Sequence, residues 1–415
     1  MKIAIWHNLP SGGASRAMFY QTKGLLEAGH YIEVWSPEGA FNVLSEFSES
    51  LIFHFIPMAL KKNEPSFIEN IGAVFGKENS NIKVMKANCQ QAANEINAGG
   101  FDVVIVHPCL YFAVSFVGRY LKNPAVLYLQ EPFRSFYENA DGIFWAAIPP
   151  ISLRSSISVS YWRWFLMDTF ATRHKRIQMR EEQYNLTFYA RLLVNSYFSA
   201  ESVMRAYKRK GEVCYLGVDT DLFRPLSLVR QNVVMGLGTF MRHKSPETVI
   251  KALALLPIEN RPKLIWVANS IDEQYVEEIK LLAKSVNVAW ELKVAVTDVE
   301  LVRLLNQARC LVYPSLLEPF GFATLEANAC GLPVIGIPEG GIRETVINGQ
   351  TGLWSSFQPT ALANNIQNLL HDETVWSQFS KNGIKNVKDN WTWTRSVAQL
   401  EQILNETANI NTNGG

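Results

Sequence analysis

Short, nearly solid apolar runs alternate along this chain with longer stretches in which apolar residues recur at helical spacing. In the first half the runs Lys2 to Trp6, Tyr31 to Trp35, Leu51 to Ile56, Phe101 to His107 and Ala125 to Leu129 read as strands. Leu192 to Ser196 reads as a strand and a capped turn, and Val213 to Leu216 as a short strand. Ala14 to Ala28, the stretch Ser66 to Ala98 and Ser199 to Tyr207 read as helical. A second series starts at Asn232. Its strands are expected at Val233 to Gly238, Lys263 to Val267, Val286 to Leu292, Cys310 to Tyr313 and Pro333 to Ile337. Its helices are expected at Pro246 to Leu256, Asp272 to Ser285, Val299 to Gln307 and Phe322 to Ala329, and then at Pro359 to Leu370, Glu373 to Lys388 and Trp391 to Thr407. Strand–helix alternation implies parallel sheets with right-handed crossovers. A chain of 415 residues exceeds one ordinary core, so two domains are expected.

The chemistry concentrates in Leu311 to Glu344, LVYPSLLEPFGFATLEANACGLPVIGIPEGGIRE. A buried strand runs into a loop, Pro314 to Phe320, and Gly321 releases the chain into a short helix. Gly331 and Pro333 stop that helix. Two carboxylates stand out: Glu318 in the loop and Glu326 inside the helix. The backbone N–H groups at the helix start are an anion site in waiting. Taken singly, the two glutamates would be a helix cap and a solvated face. The loop after Lys2 to Trp6 holds Gly12-Gly13, where the backbone can approach a ligand or simply turn. His107 closes a buried strand, and ligands in open α/β sheets bind beyond the carboxyl ends of strands. The loop Thr239 to Ser245 brings Arg242 and Lys244 to the start of a helix with Pro246 near its first position.

This pattern resembles the donor-sugar site of glycosyltransferase family 4, retaining enzymes of the GT-B fold (glycosyl transferases group 1). Pro314, Ser315, Glu318, Pro319, Phe320, Gly321, Glu326, Ala327, Gly331, Pro333, Val334, Gly340, Gly341 and Glu344 carry the match. The resemblance is strong from about Leu192 to Leu353 and looser before that. It implies an α/β protein of two Rossmann-like, doubly wound parallel-sheet domains facing a central cleft. Residues 1–225 would be the acceptor side and 226–390 the nucleotide-sugar side, with the helix at about 391–407 crossing back onto the first. Catalytic roles would fall to His107 and Glu318, the latter orienting the donor sugar. Donor binding would fall to Gly12, Gly13, Arg242, Lys244, Phe320, Gly321, Phe322, Thr324, Leu325 and Glu326, with Glu326 on the ribose. The family's phosphate-binding Arg is expected where Thr239 stands. Arg242 is the candidate replacement, since a guanidinium reaches phosphate oxygens with two bonds. Gln130-Glu131 also departs from the family pattern; Glu131 contacts an acceptor or pairs with Arg134.

The expected activity is transfer of a sugar from a GDP- or UDP-sugar to an acceptor hydroxyl with retention, in cell-surface polysaccharide or glycolipid synthesis. The acceptor would be a glycan or lipid-linked. No cofactor and no metal are expected; the carboxylates of Asp219 and Asp221 suit a turn better than an ion. A nucleotide-sugar epimerase on the same fold and a non-catalytic sugar- or partner-binding protein are the alternatives. Composition narrows the field further. A net charge of +1 makes no electrostatic case for nucleic acid. Five cysteines without metal spacing read as reduced core residues of a cytoplasmic protein. No apolar run approaches the ~20 residues of a membrane span. Gly236-Leu237-Gly238 lacks the third glycine of a dinucleotide fingerprint. Tyr137 to Arg180 is the least regular part, with Phe144, Trp145, Trp162, Trp164 and Phe165 ahead of Arg173, Lys175, Arg176 and Arg180. Aromatics beside a basic stretch suit contact with an anionic membrane, at the inner face of the plasma membrane. They equally suit an excursion packed over the first domain with its basic residues solvated.

Overall fold

A computed structural model of the chain describes residues 1–60, 65–137 and 158–412. It divides into two compact units. The first comprises Met1–Asn195, Ala200–Cys214 and Val397–Gly415, and the second Ser196–Ser199 and Tyr215–Ser396.

The first unit is built on seven parallel strands: β1 (Lys2–Asn8), β2 (Tyr31–Pro37), β3 (Ile52–Ile56), β4 (Val103–Cys109), β5 (Ala125–Tyr128), β6 (Arg191–Val194) and β7 (Glu212–Val213). Their order in the sheet is β3-β2-β1-β4-β5-β6-β7. The near-continuous apolar runs follow from burial on both faces of a parallel sheet. Helices α1 (Gly13–Glu27), α2 (Phe67–Val74), α3 (Ser80–Ala98), α4 (Arg134–Tyr137), α5 (Val159–Leu186) and α6 (Tyr197–Tyr207) supply the crossovers and flanks. Trp6, Val104, Val106, Leu127 and Val194 sit in the core cluster.

The second unit holds β8 (Val233–Leu237), β9 (Lys263–Ala268), β10 (Trp290–Val294), β11 (Cys310–Tyr313), β12 (Val334–Gly336) and β13 (Gly352–Trp354). All pairs are parallel, in the order β10-β9-β8-β11-β12-β13. The helices are α7 (Pro246–Ala254), α8 (Glu273–Ser285), α9 (Asp298–Gln307), α10 (Phe322–Ala329), α11 (Ile342–Thr345), α12 (Pro359–His371), α13 (Glu373–Asn390) and α14 (Trp393–Ala408). From Val397 onward α14 belongs to the first unit, where a side chain on Gly24 of α1 would collide with Val397. Gly236 makes room for the buried Trp266: a Cβ there would lie 2.1 Å from the indole. The indole Nε1 donates to Gly238 O at 2.9 Å and pins the end of β8.

Each sheet reverses its strand order once, between β1 and β4 in the first unit and between β8 and β11 in the second. Crevices at such reversals are where open α/β sheets take ligands. The doubly wound parallel architecture is the one expected. Two local expectations fail. The strand expected over Val286 to Leu292 begins at Trp290 instead. Val286 to Val288 close off α8: Asn287 takes a φ of 52° and Val288 N donates to Ala283 O at 3.0 Å. Residues 159–180, expected to be irregular, belong to the regular helix α5, capped by Ser158 on Tyr161 N. Exposed aromatics on several sides of that helix hide its period. Phe144 and Trp145 lie outside the described residues, as do Lys61 to Glu64, expected to form a polar break.

Helix α5 fixes the segment that follows β4. Glu182 Oε1 accepts Ala113 N at 2.9 Å, and Asn185 Nδ2 donates to Val114 O at 2.7 Å. Burial pushes the Glu182 carboxyl up to about 8; the bonds from Ala113 N and the Tyr207 hydroxyl pull it back only in part. Between the unfolded value, about 4.3, and 8 the folded chain keeps a proton that the unfolded chain has lost. Stability therefore falls as pH rises through that window, by up to ~1.4 kcal/mol per pH unit. Glu182→Gln keeps the acceptor and removes the titration. Urea midpoints measured from pH 5 to 8.5 should decline for the natural chain relative to this variant.

Candidate functional site

In the second unit the reversal between β8 and β11 carries the two predicted charges. Lys244 follows β8, in the tight turn Arg242–Lys244 that leads to α7. Ser245 holds a left-handed conformation (φ 50°) before Pro246 opens the helix. Glu318 follows β11. The Lys244 ammonium donates to Glu318 Oε2 at 2.6 Å and to Ser315 Oγ at 3.0 Å, and stands 3.4 Å from the Tyr313 hydroxyl. Tyr313 OH and Ser315 Oγ donate to the same carboxylate oxygen at 2.9 and 3.2 Å. Burial alone would lower the Lys244 pKa, but Tyr313 and Glu318 outweigh it and hold the ammonium above its ordinary range. Burial, then the Glu318 charge, raises the Tyr313 phenol, so the hydroxyl stays protonated.

The Glu318 loop is held from behind by glycines. Gly341 N donates to Glu318 O at 2.7 Å. Gly340 takes a φ of 62°, and a Cβ there would lie 2.3 Å from Glu318 O and 2.7 Å from Glu318 N. Ser196 Oγ donates to Pro319 O at 2.5 Å. Glu344 accepts Tyr197 N at 3.0 Å, Phe198 N at 3.1 Å and the Tyr215 hydroxyl at 2.8 Å.

Helix α10 begins after Gly321, whose φ of 97° suits glycine and whose Cβ would meet Ile342 at 2.7 Å. The Thr324 hydroxyl donates to Gly321 O at 2.7 Å and lies 2.9 Å from Thr345 Oγ1. Leu325, Phe320 and Glu326 are buried, and Phe322 is half-buried. Among these predicted donor residues, then, Thr324 and Leu325 have their side chains committed to the interior. What they can offer an anion is backbone N–H at the helix start.

Arg242 does not join Lys244. Its guanidinium donates to both Glu278 oxygens at 2.6 Å and lies over the Tyr275 ring, 4.7 Å from the centroid. Both partners are on α8, and a fork-shaped cation prefers a nearby carboxylate and ring to solvent. Thr239 stands instead 3.5 Å from His243 Nε2. Glu131 accepts from Arg134 Nε at 2.7 Å. Asp219 Oδ1 accepts Asp221 N and Leu222 N, both at 3.0 Å, as a turn does. Among the described residues no group of His, Cys, Asp and Glu is arranged to hold a metal ion. All five cysteines are buried and free.

In the first unit the reversal between β1 and β4 holds a second polar group. His107 lies within β4 and is buried, and its strand neighbour β1 contributes His7, also buried. The register shifts between Trp6 and Asn8, which sets His7 opposite the His107–Pro108 step. Burial lowers His7 to about 4; burial and then His7 lower His107 to about 3. Both imidazoles are neutral near pH 7, and neither Nδ1 has a hydrogen-bond partner among the described residues. A neutral imidazole presents one donor and one acceptor, which suits a sugar hydroxyl. Gly12 takes a φ of 154° and meets nothing within 4 Å, so conformation rather than crowding calls for glycine there. Gly13 starts α1, and Gly12 N donates to Ser15 Oγ at 3.0 Å.

Two residues that the structure sets beside predicted ones were not singled out in the sequence. Tyr313 looked like one more buried strand residue; a phenol in a solid apolar run needs a polar partner, and that is the signal that would have found it. His7 looked like loop, but it lies within β1, one residue before its end, and is buried.

A family model described as glycosyl transferases group 1 matches residues 219–386. Those residues, less than half of the chain, resemble that group. Among curated relatives of this group, a D-inositol 3-phosphate glycosyltransferase from Corynebacterium glutamicum is 29% identical over 192 residues, 44% of this chain and 45% of that protein. The chain spans about half the length of the curated relatives it matches. Solved structures resemble it over nearly its whole length. Sucrose-phosphate synthase from Thermosynechococcus elongatus has a TM-score of 0.72 at 19% identity, covering 98% of this chain and 99% of the other. Anabaena HepE, in complex with UDP and glucose, has a TM-score of 0.69 at 16% identity, covering 98% and 99%. The fold is the GT-B fold of glycosyltransferases.

The close approach at Gly340 yields a test of how the Glu318 loop is held. Gly340→Ala forces both a strained φ and a backbone collision, and should cost about 2–4 kcal/mol of stability in urea unfolding. Gly349→Ala, with a φ of 72° but nothing within 4 Å, should cost only the conformational part, about 1–2 kcal/mol.

Proposed function

We propose that the chain is a retaining glycosyltransferase that moves a sugar from a nucleotide-sugar donor, a GDP- or UDP-sugar, to an acceptor hydroxyl. The observation that carries this is the Lys244–Glu318 pair at the strand-order reversal of a group 1 unit. Lys244 and the backbone N–H groups opening α10 stabilise charge on the leaving diphosphate, the kind of electrostatic help that dominates many group transfers. Glu318 orients the donor sugar and is not assigned as a covalent nucleophile. Glu326 takes the ribose. Gly12 and Gly13 lie against the donor, and His107 assists at the sugar as a neutral imidazole. The acceptor is a glycan or a lipid-linked hydroxyl, in cell-surface polysaccharide or glycolipid synthesis at the inner face of the plasma membrane. The N-terminal domain, residues 1–225, serves the acceptor and residues 226–390 the donor.

The tie between Arg242 and Glu278 favours one alternative, a non-catalytic binding protein that kept the fold without the second phosphate cation. A thermal-shift panel of nucleoside diphosphates and nucleotide sugars tests the donor site, and donor turnover separates the enzyme from a binder. For an enzyme, one base series stabilises the natural chain, by ~2.7 kcal/mol at a hundredfold excess over Kd. Lys244→Ala and Glu326→Ala should lose that shift, and Arg242→Ala should keep it. Product analysis then gives the anomeric outcome, with retention expected. A panel in which no nucleotide shifts the natural chain rejects the donor site.

A further inference from the structure

Tyr313 ends a strand, β11, whose other residues are fully buried core. A phenylalanine would fill the same space, and a buried phenol costs free energy unless its hydroxyl finds a partner. Here the partner is a charge. Tyr313 OH donates to Glu318 Oε2 at 2.9 Å, and the same oxygen takes the Lys244 ammonium at 2.6 Å and Ser315 Oγ at 3.2 Å. The ammonium also lies 5.4 Å from the centre of the Tyr313 ring. Three donors thus share one oxygen, and they are not equal. The ammonium makes the shortest bond and brings the charge. The serine makes the longest, and its hydroxyl also accepts from the ammonium at 3.0 Å. The phenol is the better neutral donor, closer than the serine and more acidic than an alcohol.

Two demands on Lys244 conflict. In the donor site proposed above it meets a diphosphate, which carries more charge than one carboxylate. An ammonium that turns to phosphate leaves Glu318, only 16% of whose side chain meets solvent, beside a new anion. Such a carboxylate takes up a proton unless other donors hold its charge. Once protonated it offers a donor where it had offered an acceptor, and it no longer orients sugar hydroxyls in the same way.

We propose that Tyr313 is a positioning residue of the donor site, keeping the Glu318 carboxylate in place when an incoming diphosphate draws the Lys244 ammonium away. This deepens the donor-site reading and rests on it. Tyr313 acts through Glu318 and need not touch the ligand. Other ionisable groups surround the pair. Glu339 on the loop behind is exposed. On α11, Arg343 donates to Gly340 O at 3.2 Å and Glu344 accepts the Tyr215 hydroxyl at 2.8 Å. Glu326 of α10 is buried. His243, beside Lys244 in its turn, lies 3.5 Å from Thr239 Oγ1. An imidazole changes charge near neutral pH, but His243 is common to the natural chain and the variants below, so its titration cancels between them.

The test is titration calorimetry of the full chain with UDP-glucose and with GDP-mannose, from pH 5.5 to 7.5. Both diphosphates are diesters that stay ionised across this range. Two buffers of different ionisation enthalpy at each pH count the protons taken up on binding. At pH 7.5 Tyr313→Phe should bind the nucleotide sugar that the natural chain prefers about tenfold more weakly, the size of one hydrogen bond to a charged group. The gap should close towards pH 5.5, and the variant should take up more protons than the natural chain. Between the value of the Glu318 carboxyl in the free variant and its raised value in the complex, the complex holds the extra proton. The variant's affinity therefore falls as pH rises through that window. A thermal melt without nucleotide confirms that the variant folds. Ser315→Ala, which removes the longer neutral bond, should lose less than about threefold at pH 7.5. Equal affinities for Tyr313→Phe and the natural chain overturn the proposal and leave the donor site standing. So does a loss that is the same at every pH with no added proton uptake. A tenfold, pH-dependent loss in Ser315→Ala also overturns it, since the serine would then hold the carboxylate. A natural chain that binds neither nucleotide sugar at any pH overturns this proposal and the donor site together.

Discussion

One desolvated ion pair joins the two loops at the strand-order reversal of the second unit. Lys244 and Glu318 are both mostly shielded from water, and charges taken from water repay the cost only when every remaining proton and lone pair finds a partner. Here Tyr313 and Ser315 supply those partners, all converging on one carboxylate oxygen. Removing one member would leave a buried charge without its counterion, which is far worse than never having had the pair. Apolar residues of similar volume would stabilise this region as well or better. The polar arrangement therefore needs a reason outside stability, and an anionic ligand competing with Glu318 for the ammonium is one that the chemistry supplies.

Topology explains why these residues meet although 74 positions separate them. Lys244 comes after β8 and Glu318 after β11, and those strands are neighbours because the sheet reverses its order between them. The loop geometry then does the fine placement. Gly340 and Gly341 let two backbone segments touch where any Cβ would push them apart. Trp266, admitted by Gly236, ties the end of β8 to β9 and so steadies the turn that delivers Lys244.

Much of this was legible in the chain. Parallel strands buried on both faces write themselves as solid apolar runs, so eleven of the twelve strands expected, β10 being the exception, lie within three residues of where the runs put them. Strand β10 was displaced because Val286 to Val288 are apolar for a different reason: they close the end of α8. Helix α5 was missed because its apolar residues serve two surfaces, one inside and one outside, and the sum has no period. Glu318 and Lys244 were picked out by the spacing of a motif, and the structure pairs them. The position of Arg242 was not, because its choice between a phosphate and Glu278 is a matter of where α8 runs, which no local pattern encodes. Tyr313 escaped for a similar reason: a residue fit for a strand core says nothing of its hydroxyl until the partner across the loop is known.

The two strand-order reversals solve opposite problems with the same topology. At β8 and β11 the chain concentrates charge and keeps it charged, at the expense of desolvation. At β1 and β4 it buries two imidazoles and keeps them neutral, since burial drives both pKa values far below the ordinary histidine range. In the proposed transfer, a charged lysine suits a departing diphosphate, whose negative charge grows as the bond to the sugar breaks. A neutral imidazole suits hydroxyl groups, which need a donor and an acceptor and gain nothing from a full charge. Protonating the histidines would place like charges side by side in a dry site. Their neutrality is thus enforced by the same burial that holds the strands together, and the chemistry of the site is a consequence of the packing of the sheet.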